Sequence, residues 1–399
     1  MSENPLLDSL RRARSARRQR GRQEGAPGPE LPADPAALKA HDFADLPANK
    51  QVKMTKAVAE MTGLASPFFR NHVTTSTAGA RIGDTECINF ASYNYLGLND
   101  HPKVRAAAQD AVERWGVSAG ASRLVGGEHP YHAPLEERLA ETLGAEAAIV
   151  MVSGHATNVT TIGTLMGPRD LVLVDSLIHN SISEGIRLSG AQRISFPHND
   201  WGWVDDTLRR SRRQYENVLI VVEGLYSMDG DSPDLARFVE VKARHGAWLM
   251  VDEAHALGVL GGTGRGLHEA SGIDASSVDI WMGTLSKTLA ASGGYIAGSR
   301  DLIDLLRYTA PGFVFSVGLA PALAAAATTA IDVMLAEPGR VARLAANGAH
   351  LRQAAQGAGL DTGSSLGLAV VPVILGNSLT AVALSAQLAE AGIEVAPIV

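Results

Sequence analysis

The sequence contains a lysine and an aspartate whose neighbours suit covalent chemistry. Lys287 lies in the string GTLSKT, which begins at Gly283, and Asp252 begins the string DEAH, which ends at His255. A lysine amine in a turn rich in small and hydroxyl residues can form a Schiff base, and a carboxylate after an apolar strand can keep a pyridine nitrogen protonated. The pair therefore predicts a site for pyridoxal 5′-phosphate (PLP).

Each of these residues also has an ordinary explanation. A lone lysine on a turn is usually a solvated charge, and a carboxylate after a strand is often a helix N-cap. Their pairing favours function: Lys287 as the base for a substrate α-proton, Asp252 against the ring nitrogen, and His255 as a donor to the ring oxygen. The hydroxyls of Thr284 and Ser286, beside the lysine, suit a phosphate.

The string SGHATN follows an apolar run and begins a helical stretch at Ser153. The free amides and the dipole of a helix N-terminus bind anions, which makes Ser153, Gly154 and His155 candidates for phosphate binding. A plain N-cap by Ser153 is the alternative, and the two interpretations are compatible.

Three further candidates follow other predicted strands. His179 could stack on the cofactor ring, although a lone histidine is more often a structural residue. Glu223 and Ser227 offer a carboxylate and a hydroxyl near the same sheet edge; the alternative is a turn in which Gly230 takes a positive φ. No metal site is expected.

Short apolar runs alternate with helical stretches from about residue 88. The predicted strands are 148–152, 171–174, 218–222, 248–251 and 278–282, and the predicted helices between them are 103–115, 134–143 and 235–245. This alternation predicts an α/β domain with a mostly parallel sheet, in which ligands bind beyond the carboxyl ends of the strands. Later segments predict helices at 322–335, 341–355 and 381–391, and strands at 369–375 and 393–398.

Four parts of the chain are expected. They are an Arg-rich, flexible extension (1–45), an N-terminal arm (46–90), a large PLP-binding domain (91–320) and a smaller C-terminal α/β domain that looks incomplete (321–399). Seven arginines crowd residues 11–22. This basic stretch is interpreted as a frayed helix and solvated linker, as an arm for an acidic partner such as a carrier protein, or as a targeting peptide.

Composition excludes several classes of protein. The chain has 399 residues, 46% of them hydrophobic, and a formal charge of −7. That charge gives no reason to expect nucleic-acid binding, and no apolar run approaches the length of a membrane span. Its single cysteine, Cys87, excludes an internal disulfide. We expect a cytoplasmic protein.

With these segments laid out, the chain resembles the α-oxoamine synthases, a family of fold-type I PLP-dependent transferases. The resemblance rests on five strings in the family's order: SYNYLGL from Ser92, GASRLVGG from Gly120, EGLYSMDGD from Glu223, DEAH from Asp252 and GTLSK from Gly283. Five ordered motifs are far more specific than any one of them.

The resemblance implies a reaction and further roles. A small amino acid (glycine, alanine or serine) would condense with an acyl thioester, from acyl-CoA or an acyl-carrier protein, with loss of CO₂, giving an α-aminoketone. Asn94 would lie near the amino acid, His179 would position the substrate, and Ser227 would join His255 at the ring oxygen. Ser316 would reach the phosphate from the partner subunit of a homodimer.

Three departures from the family pattern leave alternatives open. His155 stands where an aromatic residue is common, and Ser286 is closer to serine palmitoyltransferase-like members. Members of the family continue past the position of Val399 into a segment that carries an arginine, which binds the substrate carboxylate. The alternatives are therefore another fold-type I activity, such as transamination or aldol cleavage, or a catalytically impaired scaffold homologue.

Overall fold

The structure is a computed structural model that describes residues 42–62, 68–73 and 78–398. The Arg-rich stretch lies outside the described residues, so its three interpretations remain predictions. The chain divides into two compact units, residues 1–65 and 66–399. The described part of the first unit is a short 3₁₀ helix, Phe43–Asp45, followed by helix α1, Pro47–Thr62.

The second unit contains a small sheet and a large one. The small sheet holds β1 (Gly79–Ile82), β2 (Thr85–Asn89) and β10 (Ile393–Glu394), in that order. The large sheet holds β3 (Ala147–Met151), β4 (Leu171–Asp175), β5 (Gln192–Phe196), β6 (Val218–Glu223), β7 (Trp248–Asp252), β8 (Ile280–Thr284) and β9 (Gly294–Gly298). Its strand order is β3-β9-β8-β7-β6-β4-β5, and only β9 runs antiparallel to its neighbours.

Both faces of the large sheet are buried, as the apolar runs predict. Along β4, Leu171 and Leu173 belong to one hydrophobic core, whereas Val172 and Val174 belong to a second. Side chains alternate between the faces of a strand, so a sheet covered on both sides needs apolar residues at consecutive positions. This explains why the strands are continuous apolar runs.

Twelve helices in the described part of the second unit connect the strands and cover the sheet. They are α2 (Pro102–Trp115), α3 (His132–Leu143), α4 (Gly154–Leu165), α5 (Asn180–Ser189), α6 (Trp201–Ser211), α7 (Leu235–His245), α8 (Leu267–Ser271), α9 (Arg300–Thr309), α10 (Pro311–Val314), α11 (Pro321–Ala336), α12 (Gly339–Gly357) and α13 (Ser378–Glu390). Asp200 and Asp234 cap α6 and α7, and Gly246 ends α7 in the left-handed conformation.

The small sheet joins segments that are distant in sequence. β10 pairs in parallel with β2, and Arg70 forms a salt bridge of 2.8 Å with the buried carboxylate of Glu394. These contacts attach the chain before β1 to the last described residues.

The α/β class and the mostly parallel sheet are confirmed, with three differences in detail. Residues 369–375 form no strand; Ser365 Oγ donates to Val370 O, and Ile374 N donates to Asp361 O, so these groups are used in loop contacts instead of a ladder. The second predicted strand, 393–398, is reduced to Ile393–Glu394. The predicted strands also did not include β1, β2, β5 or β9; β9 begins and ends with a glycine, a residue that is typical of turns. The domain boundaries near 90 and 320 remain predictions.

Candidate active site

The predicted site residues converge at the carboxyl ends of the parallel strands. Glu223 ends β6 and Asp252 ends β7. Lys287 lies in the turn after β8, and His179 follows β4 as the N-cap of α5. Charge interactions link the imidazole of His179 with Asp252, Lys287 and His155, so the sheet brings these side chains into one cluster.

The amine of Lys287 is largely buried. Burial lowers its pKa, although the negative charges of Asp252 and Glu223 oppose the shift. Among the residues that the structure describes, none forms a salt bridge with it, and its Nζ lies 5.6 Å from the centre of the Tyr93 ring. A lysine that is easily deprotonated and not held by a carboxylate is suited to act as a nucleophile or base.

Both oxygens of the Asp252 carboxylate accept hydrogen bonds. Oδ1 accepts from the amide of Ala254 at 3.0 Å, and Oδ2 accepts from Nδ2 of Asn158 at 2.9 Å. The side chain is buried, so these donors stabilise a negative charge that would otherwise be costly there. A carboxylate oriented in this way can bind a protonated ring nitrogen.

His255 is held by a tyrosine that the sequence analysis did not name as a site residue. The hydroxyl of Tyr95 lies 2.7 Å from Nδ1 of His255. Burial lowers the pKa of His255 to about 3, with the positive charge of Lys287 adding to the effect, and burial raises the pKa of Tyr95. The imidazole is therefore neutral at physiological pH, and one ring nitrogen already has its partner.

Glu223 holds the backbone of two neighbouring segments. Its Oε1 accepts from the amide of His179 at 2.7 Å, and its Oε2 accepts from the amide of Ser227 at 3.3 Å. Burial, together with the charge of Asp252, raises the pKa of Glu223 to about 8. Glu223 therefore holds the backbone at His179 and at Ser227 in place. The cofactor-binding roles predicted for Glu223 and for the hydroxyl of Ser227 remain predictions.

Helix α4 begins against the end of β8. Ser153 Oγ accepts from the amide of Ala156. The amides of Gly154 and His155, at the first turn of the helix, have no acceptor within the helix and can donate to a bound anion. A Cβ on Gly154 would lie 2.8 Å from Thr284 Oγ1, which in turn lies 2.7 Å from Ser286 Oγ. Amides and hydroxyls therefore gather where only a glycine fits, as a phosphate site requires.

The donor set of this edge fits PLP. Lys287 supplies a buried amine for the aldehyde, and Asp252 a carboxylate for the ring nitrogen. The start of α4 supplies donors for the phosphate. His155 lies beside this group, its ring 6.5 Å from that of His179 in an edge-on arrangement. Its part in phosphate binding remains a prediction.

Comparisons with known proteins agree with this site. Residues 85–399 match the model of the family "Aminotransferase class I and II". An 8-amino-7-oxononanoate synthase of Geobacter metallireducens is 44% identical over 319 residues, which cover 79% of this chain and 80% of the relative. The synthase of Methylobacterium sp. (strain 4-46) is 41% identical over 340 residues, covering 84% and 85%.

Solved structures point the same way. A serine palmitoyltransferase from S. paucimobilis, solved with PLP and myriocin, matches with a TM-score of 0.85 and 29% identity over 89% of this chain and 92% of that chain. The enzyme of Sphingomonas wittichii also gives 0.85, with 32% identity over 89% of each chain. The chain belongs to the α-oxoamine synthase family.

This α-oxoamine synthase is a PLP-dependent acyltransferase. It condenses a small amino acid with an acyl thioester and releases CO₂, as the resemblance implied. No helix in the described ranges combines the length and apolar character needed to cross a bilayer.

Two predicted residues of the synthase lie elsewhere or are already engaged. Oδ1 of Asn94 accepts from the amides of Leu98 and Asn99, which caps its own turn. Ser316 follows α10, in a segment whose neighbour Gly318 donates its amide to Ala121. The substrate role of Asn94 and the phosphate role of Ser316 remain predictions.

Two residues that contact the cluster were not predicted. Tyr95 lies in the string SYNYLGL, and Asn158 lies one helical turn after Gly154 on α4. Helical spacing from Gly154 could have indicated Asn158, because residues four apart share a helix face. No local signal identifies the partner of Tyr95, since His255 lies far away in sequence.

Proposed function

We propose that this enzyme condenses alanine with the thioester of a seven-carbon acyl group that ends in a carboxylate. The support is the identity of 41–44% with proteins named 8-amino-7-oxononanoate synthase. That product carries its amine on carbon 8 and its ketone on carbon 7 of a nine-carbon acid. Carbons 8 and 9 then correspond to alanine without its carboxylate, and carbons 1–7 to the acyl group.

Lys287 has two tasks in this reaction. Its amine would hold PLP covalently until the amino acid takes its place, and the freed Nζ would then take the proton from the α-carbon of the amino acid. When bound, PLP supplies an electron-accepting ring that stabilises negative charge at that carbon. The lowered pKa of Lys287 supports the second task, because a base must be unprotonated to act.

Asp252, His255 and His179 orient the reactants. Asp252 would hold a proton on the ring nitrogen, and neutral His255 would donate a hydrogen bond to the ring oxygen together with Ser227. His179 would stack on the ring and help to position the substrate. The α-carbon would form a bond to the acyl carbon as the carbon–sulfur bond breaks, and the thiolate would leave as the thiol with the proton taken up by Lys287. The bond from the α-carbon to its carboxylate would then break, CO₂ would leave, and the α-carbon would take up a proton from solvent.

Serine is the second candidate for the amino acid. The serine palmitoyltransferase structures match this chain with TM-scores of 0.85, and Ser286 is the residue by which the sequence favours that branch. A serine-specific enzyme would accept the hydroxymethyl group of serine in place of the methyl group of alanine.

A matrix of substrates tests both candidates. Glycine, alanine and serine are each combined with pimeloyl-CoA, palmitoyl-CoA and the matching carrier-protein thioesters, and thiol release is measured. We expect the highest kcat/KM for alanine with the pimeloyl thioesters. Faster release with serine and a long-chain acyl group would support the second candidate, and keto-acid formation without thiol release would indicate transamination.

We also propose that the enzyme is a homodimer that joins through an apolar surface, and that it works in the cytoplasm. The surface consists of Leu124, Val125, Phe315 and Val317; Val125 is 80% exposed and Phe315 is 83% exposed. Hydrogen bonds from Ser122 Oγ to Val314 and from Gly318 to Ala121 hold its two segments together. Exposed apolar patches mark interfaces, and Ser316 lies within this one.

The oligomeric state tests the surface. Light scattering of the wild-type protein should give twice the monomer mass. Phe315→Asp should give the monomer, because a charge on each side of a two-fold interface repels its mate. Leu188→Asp is the control, since Leu188 is an exposed leucine outside this surface. A monomeric wild-type protein would contradict the proposal.

A further inference from the structure

The side chain of Asn158 connects two groups that were predicted separately to act on the cofactor. Its Nδ2 donates one hydrogen to Asp252 Oδ2 and the other to Ser181 Oγ, each at 2.9 Å. Ser181 Oγ lies 2.7 Å from Nδ1 of His179. Asn158 and Ser181 are both buried.

The direction of these hydrogen bonds is fixed by the groups at both ends. The amide of Ser181 donates to Nδ1 of His179, so Nδ1 is an acceptor and carries no proton. The hydroxyl of Ser181 must therefore donate to Nδ1 as well, and it accepts from Asn158. The proton of the neutral imidazole is left on Nε2, which can donate to a ligand.

The side-chain amide has only one orientation that satisfies its neighbours. If it were rotated, its oxygen would face the carboxylate of Asp252 and repel it. In the observed orientation Oδ1 of Asn158 is buried with no hydrogen-bond partner among the described residues. An orphaned acceptor is costly, so stability alone does not explain an asparagine here.

We propose that Asn158 is a positioning residue that orients the carboxylate of Asp252 and, through Ser181, the imidazole of His179. The proposal rests on the cofactor roles proposed above for Asp252 and His179. One amide thereby fixes the group that meets the ring nitrogen and the group that meets the substrate, so both are in place before the reactants bind.

Substitutions can separate the contact of Asn158 with Asp252 from its contact with His179 through Ser181. Asn158→Leu removes both donors at similar volume, whereas Ser181→Ala breaks the link from Asn158 to His179 and leaves the hydrogen bond to Asp252 in place. Thr161→Val is the matched control, because Thr161 lies on the same helix, is fully buried, and its hydroxyl has no partner in the described structure. Asn158→Ala also removes the donors, without placing a second carboxyl group against Asp252, and serves if the leucine variant does not fold.

Two measurements need no turnover. The affinity for PLP, from equilibrium dialysis, should fall about 10- to 100-fold in Asn158→Leu and in Asn158→Ala, because a charge-assisted hydrogen bond is lost. It should stay unchanged in Thr161→Val and should fall less in Ser181→Ala, which keeps the hydrogen bond to Asp252 and loses only the orientation of His179. Melting temperatures of the proteins without PLP show whether a loss of affinity is merely a loss of fold.

The second measurement is the titration of His179 by NMR of ¹³C-labelled histidine, in the protein without PLP. A hydroxyl that donates to Nδ1 favours the neutral ring, so Ser181→Ala should titrate at higher pH than the wild type. His179→Gln assigns the signal among the 12 histidines.

Two outcomes would overturn the proposal. One is a normal PLP affinity in a folded Asn158→Leu protein, and the other is an unchanged titration of His179 in both Ser181→Ala and Asn158→Leu. Neither measurement requires a thioester. A wild-type enzyme that binds PLP but turns over no substrate pair would overturn the proposed substrates and leave this test intact.

Discussion

At the scale of single residues, burial determines the chemistry of the cluster. Burial lowers the pKa of the Lys287 amine, and the nearby charges of Asp252 and Glu223 offset only part of that shift. The same burial keeps His255 neutral. In both side chains, burial disfavours the charged form, which suits a base and a neutral hydrogen-bond donor.

Lys287→Ala should abolish the covalent attachment of PLP and reduce thiol release by about 10²- to 10⁴-fold or more, which is the usual contribution of a general base. Borohydride reduction followed by peptide mapping should find PLP on residue 287 of the wild type and of Lys103→Ala, but not of Lys287→Ala. Lys103→Ala removes an exposed lysine on α2 and is the control. Near-normal turnover in Lys287→Ala would contradict its assignment.

Tyr95→Phe should lower kcat about tenfold without changing the fold. The loss of its hydroxyl leaves Nδ1 of buried His255 without its partner and frees the ring to take the other tautomer, which costs roughly one hydrogen bond. Steady-state kinetics measure the effect. Tyr215→Phe, which removes an exposed hydroxyl bonded to Gln192, should leave kcat unchanged. A wild-type kcat in Tyr95→Phe would show that the tautomer of His255 does not matter.

The sequence alone predicts the residues that react but not those that orient them. Lys287, Asp252 and His255 lie within two short strings, and a chemical pattern of that kind is visible without coordinates. The contacts of Tyr95 with His255 and of Asn158 with Asp252 join residues that are far apart in sequence. The fold brings these residues together. The end of β7 lies against α4, and the segment after β7 lies against the loop before α2.

At the scale of elements, the start of α4 requires a glycine. Gly154→Ala would place a Cβ 2.8 Å from Oγ1 of Thr284, which also donates to the carbonyl of Gly293. Overpacking of this kind costs about 1–3 kcal/mol. We expect PLP affinity to fall about tenfold, because the helix must move away from β8.

Gly339→Ala is a matched control for that change. Gly339 is also the first residue of a helix, α12, but an added Cβ would meet no atom within 4 Å. Alanine restricts the unfolded chain and should stabilise the protein by about 0.4–1 kcal/mol. Equal PLP affinities in the two variants would contradict the role of the α4 start.

The sequence predicted the strands that are buried on both faces, because burial produces continuous apolar runs. It did not predict whether an apolar run pairs with another strand. The five predicted strands of the large sheet, from 148–152 to 278–282, were found within two residues, because each is apolar on both faces. Residues 369–375 are equally apolar, yet they form loop contacts and no ladder. Whether a segment pairs as a strand depends on its neighbours in the fold, and its own residues do not determine this.

At the scale of the whole molecule, one histidine connects the sheet edge with the segment after α12. His198 lies between Asp175, at the end of β4, and Asp231, in the loop after β6, at 2.9 Å from each. Ser364 Oγ also donates to Asp231, and the amide of Leu366 donates to Gly230. The loop that carries Ser227 is thus tied to the C-terminal part of the chain.

This network makes stability depend on pH. Burial alone would lower the pKa of His198, but hydrogen bonds to Asp175 and Asp231 outweigh it, so the pKa is raised. A raised pKa means that the folded protein holds the proton more tightly than the unfolded chain, whose histidine titrates near pH 6.5. The stabilisation is fully present below about pH 6.5 and is lost as pH rises through the folded value.

His198→Gln should remove this dependence. Urea midpoints of both proteins are measured from pH 6 to pH 9, and their difference is plotted. Glu223 and Glu253, whose pKa values burial raises to about 8, also titrate in this range. They are present in both proteins, so their effect cancels in the difference. The advantage of the wild type should shrink by at most about 1.4 kcal/mol per pH unit, which is the limit for one proton. A constant difference across the range would mean that His198 does not hold an extra proton in the folded state, and that its two carboxylates are bound by a neutral ring.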